Sequence, residues 1–128
     1  MAGEIAGLLN AAPNADYRPG RDRVIRIKEL SFDERAALVA AEPAYGQIIC
    51  RCEGVTEGEI LDAIRRKPGA RSLDGVKRRV RAGMGRCQSG FCTPRVLELL
   101  SRELGVPMTE LSKYGGAPLL VRPLREEA

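Results

Sequence analysis

From Thr56 to Gly105 the apolar residues recur in steps of three and four, and each run is bracketed by a capping residue and a breaker. Ile60, Leu61 and Ile64 share one face of a helix that Thr56 and Glu59 open with capping-box spacing and Pro68-Gly69 closes. Leu73, Val76 and Val80 form an i, i+3, i+7 stripe behind the N-cap residue Ser72, with Gly83 as the predicted end. A further helix is predicted to open with Thr93 as cap and Pro94 at the first helical position. Val96, Leu97, Leu99, Leu100 and Leu104 are its predicted buried face, and Gly105 is its stop. Upstream, Ser31 and Glu34 repeat the capping-box spacing ahead of Ala36, Ala37, Leu38 and Ala40, and Pro43 ends that helix.

The remaining stretches lack such periodicity. Residues 1–30 carry turn signals at Pro13-Asn14 and Pro19-Gly20, then a short extended piece is expected at Val24-Ile25-Arg26-Ile27. Gly46-Gln47-Ile48-Ile49 reads as an extended approach to Cys50, and one more short helix is expected near Thr109–Ser112. The predicted fold is mainly α: a small helical domain of helix–loop–helix units with irregular N- and C-terminal segments. Its expected division is a linker or docking segment with one helix (1–44), a helical domain (45–112) and an irregular tail (113–128).

Composition narrows the chemistry. Aromatic residues are 4% of the 128 and Trp is absent, so Leu, Ile, Val and Ala must build the core, as suits packed helices. There is no His. That excludes His-ligated zinc, haem and Rieske centres formed by this chain alone, and equally Ser-His-Asp or Cys-His catalysis. Glu57, Glu59, Asp62 and Asp74 fall in the first turns of helices, where capping and the helix dipole account for them. No apolar run is long enough to span a bilayer and the first residues lack a basic leader, so a cytoplasmic protein is expected, its cysteines reduced.

The four cysteines are the chemistry that remains. They read C-x-C at Cys50 and Cys52, then C-x4-C at Cys87 and Cys92, each pair in a loop directly before a helix start. Unpaired amides at a helix start favour thiolate, and Gly54, Gly83, Gly85 and Gly90 let backbone amides approach sulfur. Four thiolates suit a [2Fe–2S] cluster, two on each iron, or a structural zinc ion. Zinc usually takes pairs spaced by two to four residues, and C-x-C crowds two thiolates on one tetrahedral ion, which favours the cluster. Tyr45, Met84 and Phe91 are expected to shield the site from water.

Cys50-Arg51-Cys52-Glu53, the capped helix, and the run Gly83-Met84-Gly85-Arg86-Cys87-Gln88-Ser89-Gly90-Phe91-Cys92 together resemble the bacterioferritin-associated-ferredoxin-type [2Fe–2S]-binding domain. More narrowly, Tyr45 to Leu104 is similar to the C-terminal domain of FAD-dependent glycerol-3-phosphate dehydrogenases and related oxidoreductases. The resemblance implies that Cys50, Cys52, Cys87 and Cys92 hold the cluster and that electrons pass from a flavin to an acceptor. It also implies a flavoprotein partner, in cis or in trans, and peripheral membrane association through the parent enzyme. The G-x-G-x-x-G fingerprint of a flavin domain does not occur here, since Gly83-Met84-Gly85 runs straight into the cysteine loop. FAD therefore belongs to the partner, and the chain is expected not to be catalytic alone, being a C-terminal fragment or a small subunit. The alternative is a docking module whose metal, zinc or iron, is structural.

Net charge is +4, too mild to imply nucleic acid, and no aromatic residues interleave with the basic ones. Lys77, Arg78, Arg79 and Arg81, with Arg86 beyond them, crowd before the third cysteine. Either they form a solvated helix face, or they screen a negative centre and form a docking face for an acidic partner.

Overall fold

In the computed structural model, residues 24–116 are described, with Glu4, Gly7, Leu8, Asn10, Leu120 and Val121. The turns expected at Pro13-Asn14 and Pro19-Gly20 lie outside those residues, as does most of the tail beyond Gly116. Within 24–116 the chain makes α1 (Phe32–Ala41), β1 (Ile48–Cys50), β2 (Val55–Thr56), α2 (Glu57–Arg65), α3 (Leu73–Val80) and α4 (Thr93–Leu104). Short 3-10 turns at Ile27–Glu29, Pro43–Gly46 and Met108–Glu110 connect them. The mainly α expectation holds.

Both capping boxes form. The Ser31 hydroxyl accepts from the Glu34 amide while the Glu34 carboxylate accepts from the Ser31 amide, and Thr56 and Glu59 do the same before α2. Ser72 caps α3 by accepting from the Gly75 amide at 3.1 Å. Each box satisfies amides that the first helical turn leaves unpaired.

Four expectations are corrected. α3 ends at Val80, earlier than Gly83, because Arg81 itself takes the left-handed conformation (φ 68°) and closes the helix. Ile27 lies in a 3-10 turn, leaving only the residues before it extended, and Met108–Glu110 forms a single 3-10 turn in place of a helix at Thr109–Ser112. Thr93 is not a cap: Cys92 precedes α4 in a helical conformation with no side-chain cap, and the Thr93 hydroxyl donates to the Ser89 carbonyl at 2.7 Å. The turn before α4 already pairs the Thr93 amide with the Ser89 carbonyl and the Val96 amide with the Cys92 carbonyl, which takes the amide three residues on from a Thr93 cap.

The core lies between α2, α3 and α4. Ile60, Val76, Leu99 and Leu100 are fully buried, with Ile64, Val80, Val96 and Leu97 around them. Each such side chain contributes on the order of 2 kcal/mol by leaving water. Arg65 straps α2 to α4 by donating to both carboxylate oxygens of Glu103, at 2.6 and 3.0 Å. At the opposite end of α2, the buried Glu57 carboxylate accepts from Arg95 and Arg102 of α4, at 3.3 and 3.0 Å. Tyr45 closes the edge: a Cβ at Gly58 would stand 2.6 Å from its ring, and its hydroxyl donates to Asp62. α1 buries none of its residues and leaves Phe32 exposed. Among the described residues no helix is long and apolar enough to cross a membrane.

Candidate metal centre

Two loops meet over the N-terminal ends of α2 and α4. The first leaves β1 at Cys50 and returns through β2, which pairs antiparallel to it with Cys50 opposite Val55 and Ile48 opposite Thr56. Gly54 makes the return in the left-handed region at φ 64°. Glu53 then accepts from Arg81 Nε at 2.8 Å, which fastens the first loop to the end of α3. That charge-assisted bond is the main reason the Glu53 carboxyl is held below its usual range.

The second loop is fixed by its own backbone. Gln88 and Ser89, neither of them glycine, take left-handed conformations at φ 48° and 75°. The Gln88 amide bonds the Gly85 carbonyl at 2.9 Å, and the Gly90 amide bonds the Cys87 carbonyl at 3.0 Å. The Ser89 hydroxyl donates back to the Gly83 carbonyl at 3.2 Å. This winding turns the amides of Phe91, Ser89 and Gly90 toward the Cys87 sulfur.

Cys50, Cys52, Cys87 and Cys92 come together on one open cavity of about 700 Å³. Ile48, Ile49 and Phe91 form its apolar lining, and Arg51, Arg86 and Arg95 bring positive charge to it. All four thiols are free. Among the described residues no three His, Cys, Asp or Glu side chains converge on a point suited to a single ion. Two of the thiols, Cys50 and Cys92, are buried and the other two lie toward the open side; Cys87 interacts with Cys52, and Cys92 with both Cys50 and Cys87.

The two pairs differ in surroundings. Cys50 and Cys92 are 1% and 3% exposed, whereas Cys52 is exposed and Cys87 half-buried. Burial first, and then the adjacent Cys50, push the Cys92 thiol up to about 11. The Phe91 amide first, and then the Cys52 thiol, hold the Cys87 thiol below its ordinary value. Two pairs of thiols, one cavity and amides aimed at sulfur are the donor set of a two-iron cluster. The residues fit that group.

Other expected residues are placed variously. Tyr45 sits in the core and is not part of the cavity lining, while Phe91 is on the rim, 88% exposed, and borders the thiols without covering them. Met84 is half-buried in the second loop. Of the four basic residues expected to dock a partner, Arg79 donates to the carbonyls of Gly75 and Pro68, and Arg81 holds Glu53. Arg78 is exposed and Lys77 half-buried. Arg51 and Arg95 were not singled out by the sequence reading, although Arg51 stands between two cysteines and is visible there as the x of C-x-C.

The family described as BFD-like [2Fe-2S] binding domain matches residues 48–102, the stretch that holds both loops and the helices between them. A glycerol 3-phosphate dehydrogenase of Caloramator mitchellensis is 55% identical over 113 residues, which cover 88% of this chain and 24% of that protein. A hydrogen cyanide synthase subunit of Pseudomonas aeruginosa is 43% identical over 74 residues, 58% of this chain and 16% of that protein. One component of the anaerobic glycerol-3-phosphate dehydrogenase of Escherichia coli K12 is 36% identical over 70 residues, 55% of this chain and 13% of that component. The chain thus spans about a quarter or less of each of these relatives. No solved structure matches it significantly.

Proposed function

We propose that this chain is the electron-transfer part of an FAD-dependent dehydrogenase of the glycerol-3-phosphate dehydrogenase type, a reading supported by the match of residues 48–102 to the BFD-like [2Fe-2S] binding domain family. Cys50, Cys52, Cys87 and Cys92 are the ligands. When bound, a [2Fe–2S] cluster accepts and releases electrons singly, which lets a two-electron flavin discharge to a one-electron acceptor. The chain's own residues hold the thiolates, aim the Phe91, Ser89 and Gly90 amides at sulfur and keep the apolar lining of Ile48 and Ile49 against the site. The flavin is carried by a partner domain, in the same polypeptide or in trans, and the chain works in the cytoplasm, where free thiols persist. Lys77 and Arg78 serve as the docking residues, Arg79 and Arg81 being engaged within the domain.

One observation carries this reading: four free thiols line one cavity, in loops that each run into a helix N-terminus. Anaerobic reconstitution with iron and sulfide tests it. Two irons per chain, a thiolate-to-iron charge-transfer spectrum that bleaches with dithionite, and an S = 1/2 resonance on reduction are expected. A colourless protein that takes up one zinc ion and refuses iron would replace it with the structural-metal reading.

A further inference from the structure

Arg51, Arg86 and Arg95 all line the cysteine cavity, but they are not held alike. Arg51 and Arg86 are exposed and have no carboxylate partner among the described residues. Arg95 is gripped from two sides: its Nη1 donates to Glu98 at 2.6 Å and its Nη2 to the buried Glu57 at 3.3 Å. Cys92 already has helical backbone angles, so Arg95, three residues on, shares its side of the helix.

Glu57 in turn reaches both cysteine loops. Its amide donates to the Gln47 carbonyl at 2.8 Å, shortly before Cys50, and its carboxylate accepts from Arg95, shortly after Cys92. Its second arginine, Arg102, donates at 3.0 Å from about two turns further along α4 and does not line the cavity. A buried carboxylate of this kind adds little net stability over an apolar residue of the same volume, and what it fixes is the place of its partners.

Resting on the [2Fe–2S] reading above, we propose that Arg95 is the fixed positive charge of the metal centre and that Glu57 is the positioning residue that holds it at the cavity. Adding one electron makes the site more negative by one charge. A guanidinium anchored beside the thiolates favours that state and so raises the reduction potential. Arg51 and Arg86 do so less, because water and salt screen charges that stand free in solvent. Glu57 and Glu98 offset part of the gain through their own charge, and in exchange they keep the guanidinium at the cavity.

The chain, reconstituted anaerobically with iron and sulfide, tests this by a dithionite titration in which the S = 1/2 signal reports the potential. Arg95→Gln is expected to lower the equilibrium constant for reduction on the order of tenfold, about 59 mV for a one-electron couple. Arg95→Lys keeps the charge and should recover about half of that shift or more. Arg102→Gln loosens Glu57 from outside the cavity, and should lower stability in urea while leaving the potential in place. In a Glu57→Gln background the Arg95→Gln shift should shrink to about half or less, the mark of coupling between the two residues. Glu57→Asp, one methylene short of Arg95, serves for the same comparison if the Gln variant does not hold iron.

An unchanged potential in Arg95→Gln, or an equal shift in Arg102→Gln, overturns the role of Arg95. A shift of full size in the Glu57 background overturns the positioning. If Arg95→Gln does not hold iron, Arg95→Lys decides: iron content and potential near those of the unmutated chain support the role of the charge, and loss of iron there too overturns it. Failure of the unmutated chain to take up two irons would instead remove the cluster reading itself.

Discussion

Both cysteine-bearing loops run into the start of a helix, yet they are held there by different means. Before α2, side chains fix the geometry: Thr56 and Glu59 exchange hydrogen bonds with the backbone, and Arg81 anchors Glu53. Before α4 there is no side-chain cap at Cys92, and left-handed Gln88 and Ser89 set the shape through a series of tight turns, their side chains bonding only loop carbonyls of Met84, Gly85 and Gly83. The first arrangement can be weakened piece by piece. The second depends on backbone shape, and small changes of shape move a sulfur.

Replacing a ligand has the largest expected effect and should erase the contrast. Cys→Ser at any of the four positions removes a thiolate bond and is expected to lose or severely destabilise the cluster, measured as iron per chain and absorbance. Full iron content with an unchanged spectrum in both Cys87→Ser and Cys92→Ser would sink the ligand assignment.

Paired glycine substitutions sharpen the contrast. Gly85→Ala places a methyl on Cys52 and should prevent cluster formation, since neither backbone can yield. Gly54→Ala meets nothing within 4 Å and suffers only its left-handed backbone at φ 64°, a cost of about 1 kcal/mol. Urea denaturation and iron content together distinguish the two. Equal iron content would show that the second loop is not shape-limited.

Removing the Thr56 cap should cost about 1 kcal/mol and shorten the cluster's half-life in air, because the Cys50–Cys52 loop loosens with the helix start. Thermal unfolding of Thr56→Ala checks the first part and the decay of visible absorbance the second. Unchanged values would show that β1 and β2 hold the loop unaided.

Without metal, the two loops should also differ in reactivity. Cys87, held below its ordinary value, should be alkylated by iodoacetamide at pH 8 before Cys92, whose thiol stands at about 11. Cys92 titrates above its ordinary 9.0, so its protonated form favours the fold. That contribution is complete below pH 9 and disappears as pH rises toward about 11, and stability of the metal-free chain should fall across that interval. Cys92→Ala should flatten the fall. The smallest effect is expected at Thr93→Val, which deletes one hydrogen bond to Ser89 and should cost about 1 kcal/mol or less.

The same division explains what the sequence disclosed. Capping boxes at Ser31 and Thr56 are legible because their partners are three residues away, and the core face of α4 is legible because its period is helical. The cysteine spacing singled out the two loops that meet at one cavity because C-x-C and C-x4-C each precede a helix start. The second loop was misread at Thr93 because Gln88 and Ser89 adopt conformations that their residue types do not announce. Arg81 pairs with Glu53, 28 residues upstream, a partner that spacing along the chain does not reveal. Glu57 looked like a helix-dipole residue, yet it is buried beneath Arg95 and Arg102, 38 and 45 residues away. Tertiary pairing leaves no periodic trace.

The packing of α2 against α3 and α4 borrows little from the sulfurs. Ile60, Val76, Leu99 and Leu100 are enclosed by one another, and of the four cysteines only Cys50 and Cys92 touch that interior. The scaffold is therefore expected to behave as a socket, finished before anything is plugged in. On the proposed reading, loading would be a late step in the life of the polypeptide, and oxidative damage to the inorganic core would be an injury repaired in place, with no need for new synthesis. Circular dichroism should register almost no change when a chelator strips the protein and fresh iron and sulfide restore its colour.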